Sequence, residues 1–399
     1  MAAPALVLDG NQRSALAVVR SLGRQGVAVE VADSMATPLA AASRFSRGTL
    51  RYPDAATAPG AFLQWLEDQG RQRPETVLLP MTDLTVPLVL QAGERLGGLR
   101  TALPTPVAYE TASDKYELFE LARKVGVRTP ETFVVSRHNA ATLETGKLEY
   151  PLVIKPRRSA ERSSGGVTKR PVRYARNASE FDEIAAAELV HEADELLVQQ
   201  YVTGFGAGVF GLYDRGRPLF FFAHRRIREK PPSGGISVLC ESTALPTEGI
   251  AAAQRLLEAL QWHGVAMVEL KIDSQGRIWL IEINARFWGS LQLAVDCGAD
   301  FPWFLYQIAS GRTPAIPPDY IIGKRLRWWL GDLDNLYARL RDSRWTPTLG
   351  AKIGALGSFL SPWQPRTRYE FMRWNDPGPA VAALGQYLTT FTHPRRKST

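Results

Sequence analysis

Short apolar runs alternate with helical patterns near the start of the chain. The predicted elements are a strand at Ala5–Leu8, a helix at Ser14–Leu22, and strands at Val27–Val31 and Thr76–Pro80. Strand–helix–strand units of this kind build a parallel sheet. The turn Asp9-Gly10-Asn11 follows the first strand, on the side of such a sheet where ligands usually bind, yet it lacks the full glycine fingerprint of a dinucleotide site. The pattern predicts an N-terminal α/β domain, and the turn is either a plain connection or a binding turn.

A different pattern, two strands joined by a polar turn, is predicted at Gly264–Ser290. The turn is assigned to Asp273-Ser274-Gln275-Gly276. Because side chains alternate across a strand, the second strand has one apolar face, while its other face presents Glu282, Asn284 and Arg286 in a row. Such a row of carboxylate, amide and guanidinium groups is either a solvated face or a binding site.

The spacing of the two acidic residues favours a binding site. If the turn holds two or four residues, Glu269 on the first strand lies directly opposite Glu282. Facing carboxylates repel each other and destabilise a sheet. A divalent cation between them removes the repulsion, and the oxygen ligands of Glu269, Glu282 and Asn284 suit Mg²⁺, which takes its remaining ligands from water and phosphate. The hairpin therefore predicts a magnesium site.

Two lysines and a glycine-rich loop precede the hairpin. Ser113 or Asp114 is the predicted N-cap of a helix at Tyr116–Val125, where Lys115 in the first turn opposes the helix dipole. A short apolar strand contains Lys155, and the loop after it, RRSAERSSGGVTK, combines glycine, serine and cations. Glycines let backbone N–H groups approach an anion closely. The loop is not a Walker A motif, so by itself it is either a linker or a phosphate clamp.

The segment His224–Lys230 carries four cations in seven residues and is followed by a loop of proline and glycine, Pro231–Gly235. This composition indicates either an anion-facing surface with a mobile cover or an exposed basic strand.

The region after Arg312 combines basic residues with tryptophans that include Trp345, Trp363 and Trp374. We favour a packed accessory subdomain there, with a cap over the active site, an oligomer surface and a membrane-surface patch as alternatives.

Bulk composition narrows the class of protein. With 399 residues, 45% hydrophobic and 22% charged, the chain is expected to be globular with two or three domains. We expect no transmembrane segment and no signal peptide. Cys240 and Cys297 are too few for a disulfide framework or a zinc site, which predicts a cytoplasmic protein. The net charge of +8 favours anionic ligands, while the scattered arginines and the lack of a known motif predict no nucleic-acid binding.

In their order along the chain, these motifs resemble the ATP-grasp superfamily, especially its carboxylate–amine ligase and carbamoyl-phosphate-synthase-like members. The likeness extends from Ala5 to Ser310 and rests mainly on the hairpin, since the family pattern is an acidic residue and then Glu-x-Asn-x-Arg on the next strand. It implies an α/β (α+β ATP-grasp) fold with an N-terminal parallel-sheet pre-ATP-grasp domain, a two-lobed ATP-grasp domain and a C-terminal extension. The implied boundaries are residues 1–108, residues 109–311 with lobes 109–200 and 201–311, and residues 312–399.

The resemblance also implies roles for individual residues. ATP would be held by two lysines, the glycine-rich loop and the end of a strand whose backbone reads adenine, namely Lys115, Lys155, Ser164, Gly165, Gly166, Gln199, Gln200, Tyr201 and Val202. Two Mg²⁺ ions, with Mn²⁺ as an alternative, would be held by Glu269, Glu282 and Asn284. Arg286, Arg226 and Arg228 would neutralise charge on the transferred phosphoryl group and position the carboxylate. Many family members have an acidic residue for the ribose where this chain has Gln199 and Gln200.

The implied reaction is an ADP-forming ligation of a small carboxylic acid, such as an amino acid, to an amine. The carboxylate attacks the γ-phosphorus of ATP, an acylphosphate forms, and the amine displaces phosphate. Two alternatives remain: a kinase or biotin-carboxylase-like enzyme, and a nucleotide-binding regulatory module without turnover. The complete set of metal ligands argues against the regulatory module. The resemblance leaves a homodimer open, and the sequence identifies neither the acid nor the amine.

Overall fold

The computed structural model describes residues 2–140, 145–158, 161–163, 166–168, 171–190, 195–361 and 366–392. Strands and helices are interspersed through these ranges, as predicted for an α/β or α+β chain. No helix in these ranges is long and apolar enough to cross a bilayer.

The strands vary from three residues to more than a dozen. In chain order they are β1 (Ala5–Val7), β2 (Val29–Asp33), β3 (Ser46–Arg51), β4 (Val77–Leu79), β5 (Thr132–Ser136), β6 (Leu152–Lys155), β7 (Glu161–Ser163), β8 (Gly166–Thr168), β9 (Arg173–Ala175), β10 (Glu195–Gln200), β11 (Phe205–Asp214), β12 (Arg217–Lys230), β13 (Ile236–Ser242), β14 (Gly264–Ile272), β15 (Ile278–Asn284), β16 (Arg325–Arg327) and β17 (Thr367–Tyr369).

The helices separate most of these strands. In chain order they are α1 (Arg13–Arg24), α2 (Pro59–Gln72), α3 (Thr85–Ala92), α4 (Pro106–Ser113), α5 (Lys115–Lys124), α6 (Arg137–Ala140), α7 (Ala178–Glu188), α8 (Thr247–Ala259), α9 (Leu291–Asp296), α10 (Phe301–Ala309), α11 (Trp329–Arg341), α12 (Leu349–Leu360) and α13 (Gly378–Thr392). Short 3₁₀ turns lie at Leu39–Ala42, Gly93–Leu96 and Thr145–Lys147.

The chain forms two compact units, each built from separate segments. The first unit contains Met1–Leu103, Leu219–Leu245 and Arg286–Thr399, and the second contains Pro104–Pro218 and Pro246–Ala285. The end of the first segment lies close to the predicted end of the N-terminal domain at residue 108. The division into three domains, with boundaries after residues 108 and 311, stays a prediction.

The N-terminal sheet of the first unit confirms the predicted parallel α/β arrangement. Its strand order is β3-β2-β1-β4, and all three neighbouring pairs are parallel. β1 is fully buried, as expected for a central strand covered on both faces. Leu6, Phe62 and Leu88 form part of the core on this sheet. The observed β2 begins two residues later than predicted, at Val29.

The turn after β1 makes its contacts within the protein. The carboxylate of Asp9 accepts hydrogen bonds from the Met81 backbone N–H at 2.9 Å and the Tyr52 hydroxyl at 3.0 Å. Burial raises the pKa of Asp9. A Cβ on Gly10 would lie 2.3 Å from Val31 Cγ1, so only glycine fits this close approach. These contacts support the interpretation of the turn as a structural connection.

The second unit contains two antiparallel arrangements. One has the strand order β5-β10-β6-β9, with a core that includes Ile154, Phe181 and Val198. The other places β14 between β11 and β15, with antiparallel pairing on both sides. The predicted hairpin at Gly264–Ser290 is therefore present as β14 and β15.

The C-terminal region is built into the first unit. β16 pairs with β13 and β17 pairs with β16. The buried Arg20 of α1 lies 2.7 Å from Asp376, and Arg13 lies 2.7 Å from Glu370. Because these pairs join residues more than 350 positions apart, the C-terminal segment is part of the folded unit, in agreement with the favoured hypothesis of a packed region.

Candidate functional site

The register of β14 and β15 places the two predicted acidic ligands side by side. Glu269 is directly opposite Glu282, and Met267 is opposite Asn284. The route to this register differs from the prediction, because Ile272 pairs with Ile278 and the loop between the strands holds five residues. A regular ladder from that loop would set Glu269 against Ile281. A bulge between Glu269 and Leu270 shifts the pairing by one residue and restores the facing carboxylates.

The same bulge changes the alternation predicted for β15. Leu280, Ile283 and Ala285 are buried, whereas Trp279 and Ile281 are only half-buried. The prediction of one continuous apolar face along β15 is therefore wrong, because an inserted residue reverses which face the following side chains use.

The hairpin loop is fixed by Asp273. Its carboxylate accepts hydrogen bonds from the backbone N–H groups of Gln275 and Arg277, both at 2.9 Å, and from the indole N–H of Trp279 at 3.0 Å. These hydrogen bonds hold the pKa of Asp273 well below its usual value. The loop therefore sets the length of the hairpin and hence the register of its acidic residues.

Lys115 faces the acidic residues of the hairpin from the start of α5. Its Nζ lies 3.5 Å from Glu282 Oε2, and its side chain is almost fully buried. The N-cap of α5 is Asp114, which accepts from the N–H groups of Tyr116 and Glu117, so one of the two predicted cap residues is confirmed. The backbone N–H of Lys115 donates to the carbonyl of Arg157 at 3.0 Å. That bond ties the helix start to the segment that follows β6.

Arg157 strengthens the same junction. Its guanidinium lies 3.1 Å from Asp114 and 2.9 Å from Glu195. Because Lys155 lies two residues before Arg157 and Lys115 one residue after Asp114, this ion-pair network holds the two lysine-bearing segments together.

Lys155, the last residue of β6, is buried with a specific partner. Its Nζ lies 2.9 Å from Gln199 Oε1, and Gln199 in turn donates to Thr132 Oγ1 at 2.8 Å. The ring of Phe119 is 5.3 Å from the ammonium group. Burial, together with the nearby Lys115, lowers the pKa of Lys155 to about 7, while Glu282 and Glu269 act in the opposite direction. The two lysines and the two glutamates therefore form one electrostatically coupled group.

The donor set of this group fits a magnesium ion. Glu269, Glu282 and Asn284 are half-buried and supply hard oxygen atoms, and the Asn284 amide lies 3.3 Å from Glu282 Oε1. Two carboxylates paired across neighbouring strands gain from a shared cation. In the described ranges no cluster combines three or more His, Cys, Asp or Glu side chains, so an ion here would need the amide, water or phosphate to complete its shell.

The end of β10 has both backbone and side-chain partners. Gln199 and Gln200 pair with β6 in the sheet, and the N–H of Gln200 donates to the Glu131 carbonyl at 2.9 Å. Lys271 donates to the Val202 carbonyl at 2.7 Å and lies 4.7 Å from the ring of Tyr201. The adenine role of this strand end stays a prediction.

Only part of the glycine-rich loop lies within the described residues. Ser164 and Gly165 lie outside the described residues, so their predicted phosphate contacts stay predictions. Gly166 begins β8, which pairs with β7 in a small antiparallel ribbon.

Arg286 belongs to the first unit, where it pairs with a residue not predicted from the sequence. Its Nη2 lies 2.9 Å from Asp83 Oδ2, and its Nη1 donates to the Phe287 carbonyl at 2.9 Å. Asp83 is in the loop between β4 and α3. The ion pair therefore holds Arg286 against the loop after a strand of the N-terminal sheet.

Arg226 and Arg228, both on β12, are held by neighbouring acidic residues. Arg226 lies 2.8 Å from Glu229, and Arg228 lies 2.7 Å from the buried Asp332 of α11. Arg228 also donates to Ser358 Oγ at 2.9 Å. In this conformation Arg228 joins β12 to α11 and α12, and the predicted roles of both arginines in catalysis stay predictions.

Sequence reasoning missed three residues that organise these sites: Gln199 as the partner of Lys155, Arg157 as the clamp on α5, and Asp83 as the partner of Arg286. Each acts across 40 or more positions of sequence. The cation two positions after the end of a strand, Arg157 after β6, was the one local signal for such a role.

Comparison with known proteins supports the fold. The family model described as "ATP-grasp in the biosynthetic pathway with Ter operon" matches residues 192–329, which include the whole hairpin. Among solved structures, the L-amino acid ligase from Bacillus licheniformis superposes with a TM-score of 0.60 and 18% sequence identity, covering 78% of this chain and 75% of that one. Other structures with the fold contain ADP, in one case as its magnesium salt.

Two curated proteins are also similar. They are the vancomycin/teicoplanin A-type resistance protein VanA of Enterococcus faecium and a protein named as a D-alanine–D-lactate ligase of Streptomyces coelicolor, each 28% identical. Each alignment covers 43% of this chain and 51% of the relative, so the chain spans about half the length of these relatives.

The predicted resemblance to the ATP-grasp superfamily is thus confirmed, and the chain has the fold of that superfamily.

Proposed function

We propose that this protein is an ATP- and Mg²⁺-dependent ligase that joins a small carboxylic acid, such as an amino acid, to an amine and releases ADP and phosphate. The observation that carries the proposal is the coupled group in the second unit, in which Lys115 lies 3.5 Å from Glu282 and Lys155 is buried and electrostatically coupled to both glutamates. The names of the similar proteins, an amino acid ligase and a D-alanine–D-lactate ligase, support the same class of reaction.

In this proposal the two lysines bind the phosphates of ATP. A triphosphate is an anion that would replace the glutamates as the partner of Lys115 and would favour the charged form of Lys155. Glu269, Glu282 and Asn284 would hold Mg²⁺, which supplies charge neutralisation at the phosphate oxygens when it is bound. The main task of the side chains is to position and neutralise, because phosphoryl transfer needs little covalent help from a protein.

The arginines would act on the acid substrate and on the transferred phosphoryl group. Arg286 is the leading candidate, because a planar guanidinium binds carboxylate or phosphate through two parallel hydrogen bonds. It would exchange its contact with Asp83 for one with the substrate. Arg226 and Arg228 are weaker candidates, because their present partners, Glu229 and Asp332, would have to release them.

The acceptor need not be an amine. One similar protein is named for D-lactate, whose nucleophile toward an acyl group is a hydroxyl. An acylphosphate reacts with either nucleophile, so ester formation is a second candidate for the final step.

A substrate screen tests the proposal. Purified protein is given ATP, Mg²⁺ and pools of carboxylic acids, with pools of amines or hydroxy acids added separately, and ADP release is measured. We expect release that needs both an acid and an acceptor, and a new amide or ester in the mass spectrum. ADP release with one hydroxylic substrate and a phosphorylated product would instead identify a kinase, and bicarbonate-dependent release would identify carboxylase-like chemistry. Binding of ATP without turnover in any pool would support a regulatory module.

Finer features belong to the same proposal. Two metal ions, with Mn²⁺ able to replace Mg²⁺, would be seen as two steps in metal titrations in the presence of a nonhydrolysable ATP analogue.

We place the protein in the cytoplasm, where ATP is available and buried thiols such as Cys240 and Cys297 stay reduced. A homodimer and the absence of nucleic-acid binding are further proposals, testable by light scattering and by gel shift.

A further inference from the structure

An exposed apolar stripe runs along α12 in the first unit. Leu349, Ile353, Leu356 and Leu360 are exposed by 74%, 60%, 39% and 68%. Their spacing of four, three and four residues puts them on one side of the helix. We call these four residues the α12 stripe.

A different face of α12 is already packed. Ala355 and Phe359 are buried in a cluster with Leu336 of α11. The α12 stripe is therefore not needed for the contact between α11 and α12. An apolar helix face that remains exposed after its helix has docked indicates a surface for another partner.

Aromatic and cationic side chains lie at the junction between α11 and α12. Tyr337 is 58% exposed and Trp345 is 39% exposed. The exposed guanidinium of Arg341 lies 4.8 Å from the centre of the Tyr337 ring. Trp345 precedes Leu349, the first residue of the α12 stripe, by four positions. Tyrosine, tryptophan and arginine are the residues that combine an apolar body with a polar end, and they favour the boundary between lipid and water.

The charge of this region is positive. Residues 337–361, which contain the end of α11 and the whole of α12, hold four cationic residues, Arg339, Arg341, Arg344 and Lys352, and one acidic residue, Asp342. Asp342 pairs with Arg344. On α11, Asp332 and Asp334 pair with Arg228 and Lys230.

We propose that the α12 stripe docks this protein onto an anionic membrane surface. Apolar side chains flanked by cations and interfacial aromatics match a surface that is apolar inside and negatively charged outside. α12 would lie in the plane of the interface, with Trp345 and Arg341 at the level of the lipid headgroups. The net positive charge of residues 337–361 disfavours a second copy as the occupant, because a two-fold contact sets a patch against itself and would bring the cations together.

Vesicle binding by the full chain tests this proposal independently of the enzymatic one. Flotation is compared for vesicles of phosphatidylcholine alone and of phosphatidylcholine with phosphatidylglycerol. The test variant, which we call the α12 variant, carries Leu349→Gln, Ile353→Gln and Leu360→Gln. Glutamine keeps helix propensity high, and equal circular dichroism and melting temperature would show that the variant folds.

A matched control is available on α13. Val381, Leu384 and Leu388 are exposed by 72%, 47% and 56%. The α13 variant, with Val381→Gln, Leu384→Gln and Leu388→Gln, therefore removes the same number of exposed apolar side chains as the α12 variant. We expect binding to the anionic vesicles, weaker binding at 0.5 M salt, and a loss of at least about 100-fold in partitioning for the α12 variant, since each large buried apolar side chain accounts for roughly tenfold. The α13 variant should retain binding.

Several results would overturn the proposal. Binding that the α12 variant retains would place the lipid contact elsewhere, and equal losses in both variants would show a general effect of surface apolarity. Absence of binding by the unaltered protein would also refute it. If light scattering then showed a dimer that the α12 variant disrupts, the occupant of the stripe would be a second copy.

Discussion

Lys155 Nζ and Gln199 Oε1 lie 2.9 Å apart in a buried pair that crosses from β6 to β10. The pKa of Lys155 is lowered to about 7 by burial first and by Lys115 second. The amide holds the ammonium group without adding a negative charge. The lysine is thus kept in position and is close to losing its proton near neutral pH.

This lowered pKa predicts a pH dependence of ATP binding. A triphosphate favours charged Lys155, so binding should be accompanied by proton uptake above pH 7, and the Kd for ATP should rise between pH 7 and 9. Calorimetry in buffers of different ionisation enthalpy measures the uptake. Lys155→Arg should remove the dependence, because arginine does not titrate in this range. Unchanged proton uptake in that variant would disprove the assignment.

The lowered pKa of Lys155 also predicts how the stability of the ATP-free protein changes with pH. Between pH 7 and about 10.4 the unfolded chain binds a proton on this lysine that the folded chain does not, so stability from this group rises with pH over that range. In Lys155→Met this contribution is absent. Denaturant melts at pH 7 and 9 should therefore show a smaller increase in unfolding free energy for Lys155→Met than for the unaltered protein.

The facing glutamates predict that one substitution has opposite effects on stability and on activity. If Glu269 binds Mg²⁺ as proposed, Glu269→Gln should lower metal-dependent turnover by about 100-fold or more, because it would remove one ligand of that ion. The metal-free protein should be slightly more stable, by roughly 0.2–1 kcal/mol, because a like-charge cross-strand pair is removed. Thermal melts with and without Mg²⁺ measure the second effect. The exposed Glu248 of α8 is the matched control, and Glu248→Gln should change neither property.

Asp83 is predicted to position Arg286. Asp83→Asn should lower kcat by about tenfold with little change in the KM for ATP, and Arg286→Ala should lower it by about 100-fold or more. The double variant should be no worse than Arg286→Ala alone, since the two residues would act as one unit. Additive losses would contradict the proposal. Asp68→Asn, at an exposed ion pair with Arg71, is the control for a general charge effect.

The pair between Arg20 and Asp376 is predicted to be important for folding. Both side chains are almost fully buried, and Asp376 also accepts from Ser43 Oγ at 2.8 Å. Asp376→Ala leaves a buried guanidinium without its carboxylate and should cost about 3–5 kcal/mol of unfolding free energy. Urea denaturation measures this loss. Asp342→Ala, at an exposed pair, should cost about 1 kcal/mol or less.

The hairpin shows which features of the site could be predicted from the sequence. Residue types and alternation were enough to predict a magnesium site and to set Glu269 opposite Glu282. The five-residue loop and the bulge between Glu269 and Leu270 could not be predicted, because both depend on the tertiary pairing of β14 with β11 and β15. The prediction of the facing pair was right, although the loop length assumed for it was wrong.

The partners of the catalytic candidates were beyond prediction for a related reason. Gln199 was predicted only as part of a strand end near adenine, since nothing local shows that its side chain meets Lys155 across two strands. Asp83 lies 203 positions from Arg286. Pairs of this kind can be identified only when the topology of the sheets is known. The patterns that predicted individual strands and helices, such as β1 and α1, are local, and the structure contains these elements.

The order of segments in the two units has a consequence for the integrity of the molecule. The chain passes from one unit to the other four times, after residues 103, 218, 245 and 285. A single protease cut at any crossing therefore leaves the units covalently joined through the remaining three. Equally, no uninterrupted stretch of the gene encodes either unit, so a stop codon anywhere before the last helix deletes part of the first unit.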